Sequence, residues 1–85
     1  MTWEFELYYG GPVDPAREEL LCAVVRDGGG KLNYRDHIVH DEGKYTLELT
    51  FEFDTLGQAE EVMVELRKYG EHIEGPYYRG EPSQP

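Results

Sequence analysis

Two catalytic nucleophiles are almost absent from this 85-residue sequence. Ser83, the only serine, lies in a proline-rich C-terminal segment, which excludes a serine triad. Cys22 is the only cysteine, so an internal disulfide cannot form, and no histidine stands beside it in the sequence. We therefore expect no catalytic site built on serine or cysteine.

Positive charge is also scarce, because 8 lysines and arginines face 18 aspartates and glutamates, which leaves a net charge of -10. Proteins bind nucleic acids largely by neutralising phosphates with lysine and arginine, so DNA and RNA are not expected as partners. The same charge predicts a protein partner with a basic surface, and self-association stays open. No cofactor is predicted.

Long apolar runs are missing as well. No run approaches the roughly 20 residues that a membrane-spanning helix needs, and an acidic surface is repelled by anionic lipid. The N-terminus lacks the basic stretch and apolar run of a secretion signal. The sequence thus predicts a cytoplasmic protein without membrane association.

Apolar residues are nevertheless sufficient for folding, since 39% of the chain is hydrophobic and 13% is aromatic. A chain of this size has room for one two-layer core. We predict a single domain over residues 1–79 and a flexible C-terminal tail over residues 80–85.

Two segments, Trp3–Tyr9 and Tyr45–Phe53, alternate between apolar residues at odd positions and mainly glutamate or threonine at even positions. Side chains alternate across a strand, so each segment directs its apolar residues to one face and its carboxylates to the other. Both are predicted to be strands with one buried and one acidic face.

Helix signals follow each of these strands. Asp14 and Pro15 are typical of an N-cap and a first helical position, and Gly28 is expected to end that helix. Its buried face is predicted to contain Leu20, Leu21, Val24 and Val25. Asp54 or Thr55 caps a second helix that Gly70 ends. Its apolar stripe is Ala59, Val62, Met63 and Leu66.

Two weaker strands complete the pattern. Lys31–His40 is interrupted by Asp36, and His72–Arg79 contains a glycine and a proline, so both segments suit sheet edges. A two-residue turn at residues 42–43 would place Tyr34 and Ile38 inward and pair His37 with Glu48. In the last strand, two interpretations of Tyr77 stay open: it completes the core with Tyr9, or it belongs to an interface of exposed tyrosines.

The element order βαββαβ predicts an α+β ferredoxin-like two-layer sandwich. Its four-stranded antiparallel sheet has the order 4-1-3-2, with the uninterrupted strands in the centre, and both helices cover one face. The opposite face is left open. Its candidate binding residues are Glu4, Glu6, Tyr8, Arg35, His37, Glu48, Thr50, Glu52 and Tyr78.

Three functional interpretations of this acidic face stay open beside a merely solvated surface. The leading one is a non-enzymatic protein-binding or regulatory module that docks on a basic protein. A small-ligand or metal-binding enzyme is an alternative, in which His37 and Glu48 are weak candidate ligands. A further alternative is a nucleic-acid mimic that inhibits a basic protein. RNA binding by base stacking is excluded, because acids occupy the positions where aromatics would be needed.

The ending Ile73-Glu74-Gly75-Pro76-Tyr77-Tyr78, together with the element order, is loosely similar to the bacterial ribonuclease E regulator B family. Members of that family are acidic and end in a comparable Asp-Gly-aromatic-rich strand. This chain has Pro76 where the family motif has tryptophan, and it lacks the family's long acidic extensions. The resemblance implies a protein that binds and restrains a ribonuclease, and it assigns no site residues here.

Overall fold

The computed structural model describes residues 2–80 and contains four strands and two long helices in the predicted order. In chain order these are β1 (Thr2–Gly10), α1 (Pro15–Asp27), β2 (Lys31–Val39), β3 (Tyr45–Phe53), α2 (Leu56–Lys68) and β4 (His72–Gly80). The antiparallel sheet has the order β2-β3-β1-β4, which is the predicted 4-1-3-2 order. The ferredoxin-like fold is therefore confirmed. The last strand includes Gly80, while residues 81–85, most of the predicted tail, lie outside the described residues.

Both helices begin at polar caps. The Asp14 carboxylate accepts a hydrogen bond of 3.2 Å from the backbone N–H of Arg17, directly before Pro15. At the second helix, Thr55 rather than Asp54 is the N-cap, and its hydroxyl accepts a bond of 3.2 Å from the backbone of Gln58. Each cap fixes the residue at which its helix begins. Both helices then run across the same face of the sheet.

The core lies between this face and the two helices. Phe5 occupies its middle, with ring centroids 5.5 Å from Phe51 and 5.4 Å from Phe53. Leu21 and Val25 contribute to the core from α1, but Leu20 is 59% exposed. The prediction that Leu20 is buried was wrong, because the 100° step between helical neighbours places it on the flank of α1 once Leu21 points inward.

The β2–β3 turn differs from the predicted two-residue hairpin. Asp41–Gly43 forms a single 3-10 turn in which Glu42 has φ 70°, and the backbone N–H of His40 donates to the carbonyl of Lys44 at 2.7 Å. The last pair of the ladder is therefore Val39 with Tyr45. The register is shifted by one residue from the predicted one.

This shift inverts the faces of β2, since side chains alternate with period two. Arg35 lies opposite Leu49, and His37 lies opposite Leu47, so both belong to the helix side of the sheet. Tyr34 and Ile38 take the open side instead of the predicted inward positions. The register shifts again at residue 33, so Leu32 pairs with Phe51 and lies on the helix side of the sheet.

A comparable irregularity in β4 exchanges the sheet faces on which Tyr77 and Tyr78 lie. The register shifts between Glu4 and Glu6, at residues 75–76 of the partner strand, so Tyr77 pairs with Glu4 and Tyr78 pairs with Trp3. The Tyr78 ring lies 5.0 Å from the Trp3 ring, on the helix side. The prediction that Tyr78 lies on the open face was wrong. Of the two interpretations of Tyr77, the core position is excluded, because its side chain is about half exposed.

The molecule is a slab with principal extents of 39 × 34 × 18 Å. Its two broad surfaces are the open sheet face and the outer side of the helix layer. Neither helix within residues 2–80 has the length and apolarity that crossing a lipid bilayer requires.

Candidate binding surface

The open face of the sheet contains most of the carboxylates that the alternating strands predicted. The structure places six of the predicted site residues there, namely Glu4, Glu6, Tyr8, Glu48, Thr50 and Glu52. Arg35, His37 and Tyr78 lie on the helix side instead. The face also contains residues outside the predicted binding set, namely Lys31, Asn33, Tyr34, Asp36, Ile38, His72, Glu74, Tyr77 and Arg79.

Glu4 differs from the other acids of this face because it is only 7% exposed. One carboxylate oxygen accepts a hydrogen bond of 2.7 Å from the Asn33 amide, and the other accepts one of 3.2 Å from the Arg79 guanidinium. A buried carboxylate needs such partners to offset its lost hydration. Glu4 therefore joins β1 to both edge strands and is not free to contact a partner.

The middle of the face has an acidic centre, which we define as Glu6, Tyr8, Asp36 and Glu48. Asp36 lies directly opposite Glu48 across the β2–β3 ladder, and Tyr8 lies opposite Glu48 across the β1–β3 ladder. Burial raises the pKa of the Tyr8 hydroxyl far above its usual value, and the neighbouring carboxylates of Glu48 and Glu6 raise it further. The centre thus combines carboxylates with a phenol that keeps its proton at neutral pH.

Alkaline pH tests this arrangement of Tyr8. A raised folded-state pKa means that the protonated phenol stabilises the folded protein below its unfolded pKa of about 10, and that this stabilisation is lost as the pH rises above that value. We expect the free energy of unfolding of the wild type to fall more steeply above about pH 10 than that of Tyr8→Phe. Urea denaturation at a series of pH values measures both slopes, and parallel curves would contradict the placement of Tyr8.

The basic side chains of the open face lie at its margins. Lys31 pairs with Glu52 in the β2–β3 ladder, Arg79 binds Glu4, and His72 lies 3.5 Å from the Glu74 carboxylate. Among residues 2–80, none of the ion pairs includes a carboxylate of the acidic centre. This centre is consequently an uncompensated patch of negative charge.

The weak metal candidates His37 and Glu48 do not come together. His37 stacks on Tyr45 on the helix side, with ring centroids 4.9 Å apart, whereas Glu48 lies on the open face. Within the described part of the chain, no three histidine, cysteine, aspartate or glutamate side chains are grouped so that they could hold a metal ion. The enzyme alternative therefore loses the two ligands that the sequence offered.

Arg35 has a structural contact instead of an open-face position. Its guanidinium forms an ion pair with Glu18 of α1, and this contact raises the pKa of Arg35.

Cys22, also on α1, is partly covered, and burial raises the pKa of its thiol. A thiol that holds its proton is a poor nucleophile.

A second buried carboxylate, that of Glu71, lies near the start of α1. Glu71 has a side chain that is 6% exposed, and its two oxygens accept hydrogen bonds of 2.6 and 3.2 Å from the Arg17 guanidinium. The same guanidinium lies 4.2 Å from the centre of the Tyr9 ring. Arg17 thereby fixes α1 to the end of β1 and to the segment before β4.

No protein-family model matches this chain, and no curated protein sequence matches it. Solved structures do share its fold. Formyltetrahydrofolate deformylase from Burkholderia mallei matches with a TM-score of 0.55 and 7% identity, over 88% of this chain and 28% of that one. The regulatory subunit of aspartate kinase from Thermus thermophilus matches with a TM-score of 0.55 and 15% identity, over 85% of this chain and 48% of that one.

A designed protein has the fold as well. De novo designed protein Foldit4 matches with a TM-score of 0.54 and 10% identity, over 87% of this chain and 92% of that one. This chain spans less than half the length of the two natural proteins. At these identities the likeness shows the fold alone, and a common fold hosts many functions.

Proposed function

We propose that this chain is a non-enzymatic protein-binding or regulatory module whose open face docks on a basic surface of another protein. The uncompensated acidic centre is the observation that carries this proposal. Asp36 and Glu48 face each other directly, and like charges at such positions destabilise a sheet. A cationic partner surface would relieve that repulsion, which favours a docking role over a merely solvated one.

The margins of the face suit an interface too. Tyr34 and Tyr77 are about half exposed on the open face, one on each edge strand. Tyrosine is enriched at interfaces because it combines a rigid apolar ring with a hydrogen-bonding hydroxyl. We infer that basic side chains of the partner meet the acidic centre and that the tyrosines pack around them. The occurrence of this fold in the regulatory subunit of aspartate kinase is compatible with a regulatory role.

Photo-crosslinking in the native host tests which side of the sheet meets the partner. We would place p-benzoylphenylalanine at position 34, on the open face, and in a separate variant at position 45, on the helix side of the neighbouring strand. Both native tyrosines are exposed, so the two probes are comparable. We expect an adduct with a basic protein from position 34 that is absent from position 45. The same adduct from both positions would contradict the proposal.

Charge reversal then measures the contribution of the acidic centre. With the captured protein purified, Glu6→Lys combined with Glu48→Lys is expected to weaken binding on the order of 100-fold, since like-charge contacts cost several kcal/mol. The matched control combines Glu19→Lys with Glu60→Lys, two exposed helix positions with the same change in net charge. Equal losses would show that only net charge matters. If the captured protein binds DNA, displacement by a duplex identifies the module as a nucleic-acid mimic.

A further inference from the structure

The outer side of the helix layer has a groove between α1 and α2, on the opposite side of the molecule from the open face. Its volume is about 450 Å³. Val24, Gly28 and Val62 form an apolar floor. A Cβ atom at Gly28 would overlap with Cγ2 of Val62, so the end of α1 approaches α2 as closely as glycine permits.

Carboxylates line this apolar floor. Asp27 projects from α1, and Glu61 and Glu65 project from α2. Asp27 is the last residue of its helix, where the macrodipole disfavours negative charge. Glu61 and Glu65 stand one turn apart, a spacing at which like charges repel. Within residues 2–80 the only ion pair to these three acids is that of Lys68 with Glu65 at 3.9 Å.

Exposed apolar side chains extend the groove at its end. Leu20 lies one turn before Val24 on the same side of α1, and Tyr69 follows α2. Each is 59% exposed, and the Tyr69 hydroxyl donates a hydrogen bond of 3.3 Å to Glu65. The surface thus combines an apolar strip, aligned with the helices, with negative charge on both sides.

We propose that this groove binds a basic amphipathic helix of a partner protein. An amphipathic helix lays its apolar residues into a groove with an apolar floor, and here its lysines and arginines would meet the carboxylates of both groove walls. The charge is complementary only to a basic segment, since an acidic one would face Asp27, Glu61 and Glu65. The groove constitutes a second docking surface, independent of the open face.

Peptide titration of the ¹⁵N-labelled chain tests this proposal. The probe is a synthetic helix of leucines along one side and lysines along the other, and its counterpart has glutamate in place of lysine. We expect the lysine peptide to shift the amide signals of Gly28, Val62 and Tyr69 and to leave those of Thr46 and Thr50 on the open face unchanged. The glutamate peptide should shift neither set. Absence of binding, or shifts centred on the open face, would overturn the proposal.

Matched variants separate the groove from diffuse charge attraction. Glu61→Gln combined with Glu65→Gln should lower the affinity for the lysine peptide about tenfold, a loss that corresponds to about 1.4 kcal/mol of binding free energy. Glu19→Gln with Glu60→Gln removes the same charge from exposed positions outside the groove and should change the affinity less than about threefold. Equal losses in the two variants would overturn the proposal. Asp27→Asn adds a further readout, because it should lower the affinity for the lysine peptide while raising the melting temperature of the protein.

Discussion

Leu21→Ala is expected to lower the free energy of unfolding by about 3 kcal/mol, whereas Leu20→Ala should change it by less than about 0.5 kcal/mol. The two leucines are neighbours in α1, but Leu21 is 2% exposed and Leu20 is 59% exposed. Truncating the buried one removes apolar contacts and leaves a cavity under the helix, while truncating the exposed one leaves the core intact. Because domains of this kind are stable by only about 5–15 kcal/mol, the first loss is a large fraction of the total.

Guanidinium denaturation of both variants measures this difference directly, since the two substitutions remove the same atoms from the same helix. Comparable losses would mean that α1 is rotated about its axis relative to the structure described above. A larger loss for Leu20→Ala would mean that Leu20 is buried, as the sequence pattern predicts. The comparison thus tests the orientation of α1, which also sets the position of Asp27 in the helix groove.

Arg17→Ala is expected to cost about 2–3 kcal/mol, because it leaves the Glu71 carboxylate buried without its bidentate partner. The upper values typical of fully buried pairs do not apply, since the Arg17 side chain is itself 39% exposed. The variant also removes the guanidinium from the Tyr9 ring. Denaturant unfolding at pH 7 measures the loss.

Two further variants divide this effect into its parts. Arg17→Lys keeps the charge but loses the forked geometry, so it should recover only part of the stability. Arg17→Ala combined with Glu71→Gln removes the unpaired charge and should be more stable than Arg17→Ala alone. Arg26→Ala, at an exposed position in the last turn of α1, is the control and should cost less than about 1 kcal/mol. If Arg17→Ala and Arg26→Ala behave alike, the Arg17–Glu71 pair contributes no net stability.

The central part of the fold follows from local signals that agree with one another. Strict alternation in β1 and β3 requires one buried face on each strand, and the caps at Asp14 and Thr55 give the helix starts. Interrupted patterns mark the remaining strands as edges. For the same reason the open-face positions of Glu6 and Glu48 could be predicted, since they depend only on the central strands.

Edge strands carry too little information to fix their faces. In β2 most side chains are exposed on both sides, so no buried row selects one register over its neighbour. The turn decides instead, and a left-handed non-glycine residue such as Glu42 has no clear sequence signal. One residue of slip exchanges His37 for Asp36 on the open face, which replaces a supposed metal ligand with another carboxylate. The pairing of Glu4 with Asn33 and Arg79 depends on irregularities in both edge strands and is equally hard to foresee.

The backbone of the slab is 18 Å across in its shortest dimension, and this distance determines how the two acidic surfaces influence each other. In physiological salt the Debye length is about 8 Å, so the open face and the helix groove are separated by roughly two screening lengths and behave as independent electrostatic sites. In about 0.01 M salt the screening length grows to about 30 Å and exceeds the thickness of the protein. A cationic molecule on one surface then neutralises part of the field on the other, so occupancy of the two sides becomes mutually unfavourable as ionic strength falls.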